Sequence, residues 1–237
     1  MEPLKPGYWL THHVYVCRVN DAVIFLDTQT DSYGAVVGEQ MQLLGAVVHG
    51  WPAEPPAEYD ERARDLADQL VQKGILTTDA AHGKPASTIE LKSNSVCAAV
   101  GLDLLEDRAI RWFDIVNFLL AWSRASLSLR WRGLHKTLES LEARKLRHAD
   151  AAFDAQKAVE LVCVFRRLRC FFIVFRERCL LHSLVLTHFL ASYGLYPKFI
   201  MAIKLQPWGA HAWVQQDQFI LDTTPTRIRD YTPIVAV

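Results

Sequence analysis

The chain has 237 residues, 51% hydrophobic and 22% charged, which suits one large or two small globular domains and excludes collagen, coiled coils and disordered tails. Its 26 Lys and Arg balance 26 Asp and Glu, so no overall basic field draws in nucleic acid. The balance is uneven: residues 1–82 hold 5 basic against 12 acidic residues, and residues 83–237 hold 21 against 14. That split sets an acidic first domain, suited to a basic or neutral peptide, against a basic second one.

Residues 1–10 contain no apolar run of signal-peptide length, so a cytoplasmic location is expected. Alternation and turn residues predict three short strands at 13–19, 22–27 and 32–36, forming a meander. Helical spacing follows at 40–48 and again at 59–73, where Gly74 stops it. Small and polar residues over 83–95 read as an exposed linker, which bounds a winged-helix-like domain at 1–82. Beyond it, 96–237 opens with long helical patterns at 102–130, 134–147 and 150–176. The uncharged stretch 179–197 contains His182, Ser183, Thr187, His188, Ser192 and Gly194, which suits a buried helix and not a membrane span.

The chemistry lies in the last third. Cys179 opens that helix, where the helix dipole, with Arg176 and Arg178, favours a nucleophilic thiolate. A strand is expected at 198–205, a loop at 206–209, and a hairpin of 211–216 and 219–223 turning at Asp217-Gln218. With the turn centred there, His211, Trp213 and Gln215 share one sheet face with Ile220, Asp222 and Thr224. His211 and Asp222 become diagonal neighbours within hydrogen-bonding reach, and the Cys179 helix is expected to pack on that face. Nucleophile, base and orienting acid then form the catalytic set Cys179, His211 and Asp222.

Other residues carry plainer readings. Five cysteines without a C-x-x-C pair fit reduced thiols, and Cys17, Cys97, Cys163 and Cys170 read as packing residues. His182, one turn after Cys179, aims poorly for a base and is assigned packing or substrate contact. His188 reads as core-facing or capping, Asp217 as a turn residue, and 166–169 as a solvated helix face. Trp208 and Trp213 line either a substrate cleft or the core. Adjacent His12 and His13 point to opposite sides of a strand, so no metal site is expected. No nucleotide motif is visible, since Pro85 follows Gly83-Lys84 where Ser or Thr is required.

The run Cys179-Leu180-Leu181-His182-Ser183-Leu184, then Pro207-Trp208-Gly209-Ala210-His211-Ala212-Trp213 and Leu221-Asp222, resembles the transglutaminase-like leader peptidases of lasso-peptide biosynthesis. Val23-Ile24-Phe25-Leu26-Asp27 with Ser32-Tyr33-Gly34 resembles the PqqD-like recognition element that binds leaders of ribosomally made natural products. The sequence departs from the first family at His182, where Arg is usual, and at Asp217-Gln218, where Asp-Gly is usual. A type I′ turn would strain Gln218.

The resemblance implies an α+β chain with a papain/transglutaminase-like second domain of helices and a small antiparallel sheet. It implies a cytoplasmic cysteine endopeptidase that removes the leader of a lasso precursor, with ATP required and an asparagine-synthetase-like cyclase as partner. Leader binding would add a strand to the edge Ser32, Tyr33, Gly34, Ala35 and Val36, with Asp65, Leu66 and Gln69 on a facing helix. Leu66 reads equally well as core. A leader-binding scaffold without catalysis, and an amidase or acyltransferase using the same thioester chemistry, remain alternatives.

Overall fold

The computed structural model describes residues 7–57, 61–89, 91, 109–172 and 179–237. The chain divides into two compact units, Met1–Glu90 with Thr232–Ile234, and Leu91–Tyr231 with Val235–Val237.

In the first unit, β1 (Trp9–Thr11) is followed by β2 (Val14–Val19), β3 (Ala22–Asp27) and β4 (Ser32–Val37). The last three form an antiparallel sheet in the order β2-β3-β4, in register from Val19↔Ala22 to Asp27↔Ser32. Asn20 (φ 53°) and Asp31 (φ 52°) take the left-handed turn positions that these side chains tolerate. α1 (Glu39–Gly45) and α2 (Arg62–Gln72) cover the sheet, and the core gathers Leu10, Val14, Val16, Val23, Val36, Leu44, Ala67 and Leu70. Buried Trp51 donates its indole N–H to the Met41 carbonyl at 2.9 Å. Gly74 ends α2 at φ 72°: its N–H bonds to Val71 O while Ile75 N–H bonds to Leu70 O, the double bond of a Schellman cap.

One part of the expected linker belongs to this unit. β5 (Leu76–Thr77) and β6 (Gly83–Lys84) flank β1 in a second small sheet, with Leu10↔Leu76 on one side and Thr11↔Gly83 on the other. Ala86 is wholly buried and its N–H donates to His49 O at 2.8 Å. Two-residue strands have too few positions to show a period, which is why this stretch reads as loop in the sequence. Residues 92–95 and Cys97 lie outside the described residues.

The second unit is helical before it is a sheet. α3 (Trp112–Leu127) runs through a π-helical turn at Ser128–Arg132 into α4 (Gly133–Arg147), then α5 (Ala155–Phe172) and α6 (Cys179–Ala191). The expected helical stretches 102–108 and 173–178 fall outside the described residues. α6 is apolar on nearly all sides, and Ser183–Leu190 is buried apart from half-buried His188, so it forms the centre of the unit. Phe118, Phe165 and Phe189, from α3, α5 and α6, pack with ring centroids 5.4–6.4 Å apart. Asp114, fully buried, accepts hydrogen bonds from the Arg111 N–H and the Tyr193 hydroxyl, tying the start of α3 to the end of α6.

The sheet of this unit is built on β7 (Lys198–Leu205), β8 (Trp208–Gln216), β9 (Phe219–Ile220) and the Val235–Ala236 end of β10 (Thr232–Ala236), in the order β10-β7-β8-β9, with the short α7 (Pro225–Ile228) before β10. The whole is the α+β arrangement expected from the sequence, with β8 beginning inside the expected 206–209 loop.

A Cβ on Gly83 would lie 2.3 Å from Trp9 Cβ, an atom the backbone holds in place. Gly83→Ala is expected to destabilise the protein by about 1–3 kcal/mol in urea unfolding. An unchanged midpoint would return residue 83 to an exposed linker.

Candidate active site

Cys179 is the first residue of α6, half-buried and free, and His182 and Ser183 follow one turn later. The β8–β9 hairpin has the register expected from the sequence: Gln215↔Ile220 and Gln216↔Phe219, extended by Leu221 N–H to Val214 O at 2.9 Å. At the turn only Asp217 has positive φ, 50°, so Gln218 escapes the strain a type I′ turn would impose.

β9 stops at Ile220, and two side chains take over its role at the β8 edge. In an antiparallel strand the N–H and C=O of one residue point to the same neighbour. Val214, bonded to Leu221, therefore faces the β9 side, and Ala212, two residues earlier, does too. Asp222 bends inward so that Oδ1 accepts the Val214 N–H at 2.8 Å and Oδ2 accepts the Ser183 hydroxyl at 2.6 Å. Ser183 Oγ also lies 3.0 Å from Ala212 O. One carboxylate and one hydroxyl thus fasten the helix that carries Cys179 to the strand that carries His211.

This differs from the expected diagonal pair. Among the described residues no hydrogen bond joins His211 to Asp222 or to Cys179. Nor does α6 lie on the face expected for it: Ile200, Ala202, Trp213 and Ile220 are completed there by Leu91, Ile228, Tyr231 and Ala236, while α6 packs against both β7 and β8. The cause is the short β9, which frees Asp222 to turn toward Ser183. Trp213, 1% exposed, belongs to the core and donates to Gln215 Oε1 at 2.9 Å, so it lines no cleft. Trp208, at the start of β8, is 52% exposed.

His211 sits half-buried beside Tyr231, ring centroids 5.6 Å apart. Burial, and secondarily the Arg227 charge, hold its pKa below the usual imidazole value. Its Nε2 is buried without a hydrogen-bond partner. Burial pushes the Asp222 carboxyl up to about 6, against the opposing pull of the Ser183 and Val214 hydrogen bonds and the Arg169 charge.

His182 has a definite place. Arg169 Nη1 lies 2.8 Å from its Nε2, and a guanidinium can only donate, so Nε2 keeps its lone pair and the ring proton sits on Nδ1. Nδ1 is 3.9 Å from Asp222 Oδ2. Burial, with the Arg169, Arg166 and His211 charges, drives the His182 pKa down to about 3, so the ring is neutral near pH 7 and offers no acidic proton. It stands between Arg169, to which it is hydrogen-bonded, and Asp222, where substrate contact or simple packing was expected.

The 166–169 stretch is accordingly more than a solvated face: Arg166 is exposed, Leu168 is core, and Arg169 turns inward. Cys17 is buried, with its thiol pushed up to about 12 by burial, and Cys163 is half-buried. Cys170 departs from the packing role, being exposed and donating to Arg166 O at 3.3 Å, beside Phe171 that is 76% exposed. His188 accepts a hydrogen bond from Arg144 at 2.9 Å. Ser183 and Arg169 were the residues missed. A lone Ser in a Leu-rich helix hints at a buried hydrogen bond, whereas nothing in the sequence marks Arg169.

In the first unit β2 and β4 are the outer strands of their sheet. Ser32 and Ala35 are exposed, Tyr33 and Gly34 half-buried, and Val36 is core. Asp65 and Gln69 on α2 are exposed, while Leu66 packs against the core. Among the described residues no His, Cys, Asp and Glu group could hold a metal ion, and no helix is long and apolar enough to cross a membrane.

Asp222 has a clear pH signature. Between pH about 4 and 6 the folded protein binds a proton there that the unfolded chain has released, so stability falls as pH rises through that window and levels off above it. Urea unfolding across pH is expected to show this decline in the wild type and lose it in Asp222→Asn. Ser183→Ala, which removes a donor from Asp222 and Ala212, is expected to cost about 1–3 kcal/mol at pH 7.

Residues 116–236, just over half of the chain, match the transglutaminase-like superfamily. No curated protein and no solved structure matches it. The superfamily generally contains Cys-His-Asp enzymes, and Cys179, His211 and Asp222 all lie in the matched segment. With its cysteine-led central helix fastened to the edge of the histidine strand, the chain belongs to the transglutaminase-like superfamily.

Proposed function

We propose that the protein is a cysteine endopeptidase that binds a lasso-peptide precursor and removes its leader before an asparagine-synthetase-like cyclase closes the ring. The observation that carries the chemistry is the clamp of Asp222 and Ser183 on Ala212 and Val214, which holds α6 and β8 together beside Cys179 and His211. The substrate class rests on the likeness of Cys179–Leu184 and Pro207–Trp213 to the lasso leader peptidases, together with the outer strand β4 in the acidic first unit.

In this reading His211, kept neutral by burial and Arg227, takes the Cys179 proton as the sulfur attacks the carbonyl at the leader–core junction. The tetrahedral intermediate collapses as His211 returns that proton to the departing amine, leaving the leader as a thioester. His211 then draws a proton from water, which attacks the thioester; the leader leaves as a carboxylic acid and the thiol is restored. Asp222, when ionised, stabilises the transient imidazolium by its charge and fixes the strand that carries it. The Cys179 backbone N–H at the helix start is one oxyanion donor.

ATP is a requirement that the likeness brings, and the Gly83-Lys84 pair offers it no phosphate cradle. Lys84 of the Gly83-Lys84 pair donates to His12 O at 2.8 Å and lies 3.6 Å over the Tyr15 ring. No step above uses a nucleotide.

Leader binding follows from β4, whose outer edge can accept a peptide strand, with exposed Ser32, Ala35, Asp65 and Gln69 as contacts. Gly34 is closed on one face by the Phe25 ring, because a Cβ there would meet it at 2.0 Å.

Mass spectrometry of a synthetic leader–core peptide with the wild type, ATP and cyclase is expected to show one cleavage at the junction. Cys179→Ala and His211→Gln should each lower the rate by at least about 10³-fold while leaving leader binding intact. Undiminished cleavage by Cys179→Ala would move the nucleophile elsewhere. Binding with no cleavage by the wild type would favour a scaffold.

A further inference from the structure

The Asp222 carboxylate is enclosed by groups from three elements. α6 contributes the Ser183 hydroxyl and the neutral His182 ring, β8 the Val214 N–H, and α5 the Arg169 guanidinium behind His182. The Arg166 charge on α5 and the His211 charge on β8 also act on His182. Arg169 is the cation among these that acts on Asp222, and the neutral imidazole is the path between them. Its Nε2 receives the guanidinium N–H, which draws electron density from the ring and makes the Nδ1–H facing Asp222 more positive.

The Ser183 proton adds a second argument. A hydroxyl has one hydrogen, yet Ser183 Oγ lies 2.6 Å from Asp222 Oδ2 and 3.0 Å from Ala212 O. With Asp222 protonated, the carboxyl donates to Ser183 and Ser183 donates to Ala212, so every partner is satisfied. With Asp222 ionised, the hydroxyl turns to the carboxylate. The Ser183 hydrogen bond is therefore made in either state, and the Arg169 charge adds to the Val214 and Asp222 N–H groups in favouring the carboxylate.

We infer that Arg169, acting through His182, is a positioning residue that keeps Asp222 ionised at neutral pH. This rests on the peptidase reading only for its consequence, the negative charge available to the His211 imidazolium. It does not rest on that reading for the ionisation itself.

Two readouts on the full-length protein separate these. The first is the pH at which the acid-side decline in stability ends, from urea unfolding between pH 4 and 8. In Arg169→Gln it is expected to move up by about one pH unit, and in Arg169→Lys to stay near the wild type. In an Asp222→Asn background Arg169→Gln should shift nothing. His182→Gln, which breaks the path and keeps both ends, should move the endpoint in the same direction as Arg169→Gln and serves if that variant does not fold. A superimposable Arg169→Gln profile, or an equal shift in the Asp222→Asn background, overturns the inference.

The second readout is the acid limb of kcat/KM for cleavage of the synthetic leader–core peptide, which should rise with the same variants and be rescued by Arg169→Lys. A wild type that cleaves nothing sinks the peptidase reading alone, because the stability profile still decides the role of Arg169.

Discussion

The second unit depends on how one buried carboxylate is satisfied. Asp222 stands where β9 has ended and β8 has exposed the Val214 N–H and the Ala212 carbonyl at its edge. Unpaired backbone groups in such a place cost about as much as lost hydrogen bonds. A third strand residue would satisfy them and shut the helix out. A side chain satisfies them while turning its other oxygen toward Ser183, so that α6 closes against the strand edge. The thiol and the imidazole are carried on two elements held together by this junction, which makes the spacing of Cys179 and His211 a property of Asp222 and Ser183 as much as of either reactive group.

The aromatic core supports the junction from the other side of α6. Phe189 packs with Phe118 and Phe165, and Phe165 also lies against the His182 ring, 5.3 Å between centroids. Helix α5 therefore contributes twice: apolar contacts that seat α6 and, one helical turn after Phe165, the Arg169 charge that reaches His182. A change at Phe165 would loosen the helix and misdirect the ring between Arg169 and Asp222, coupling core packing to the electrostatics of the site.

How legible this was in the sequence follows from the range of each interaction. The meander β2-β3-β4 and the helix α6 come from patterns within six to thirteen residues, and the hairpin register follows from the turn at Asp217-Gln218. Cys179 was placed correctly at the start of α6, whereas His211, expected to open its strand, lies within β8. The small β5-β1-β6 sheet was hidden, since two-residue strands have no period. The partner of Asp222 was hidden for a different reason. Alternation places its side chain only while the strand continues, and β9 ends two residues earlier. The Arg169–His182 contact joins two helices whose approach is set by the phenylalanine core, so spacing along the chain could not reveal it.

Position 222 sets stability against chemistry. An amide there would accept the Val214 N–H through its oxygen and donate to Ser183 through its nitrogen, leaving the Ser183 proton free for Ala212. Every partner would be satisfied, with no buried charge to desolvate. The carboxylate instead leaves two acceptors competing for one hydroxyl proton and needs a cation two side chains away to remain ionised. A residue chosen for stability alone would be Asn. An Asp at this position, with Arg169 turned inward beside core Leu168, is the arrangement expected where a negative charge is needed beside a histidine that becomes transiently positive.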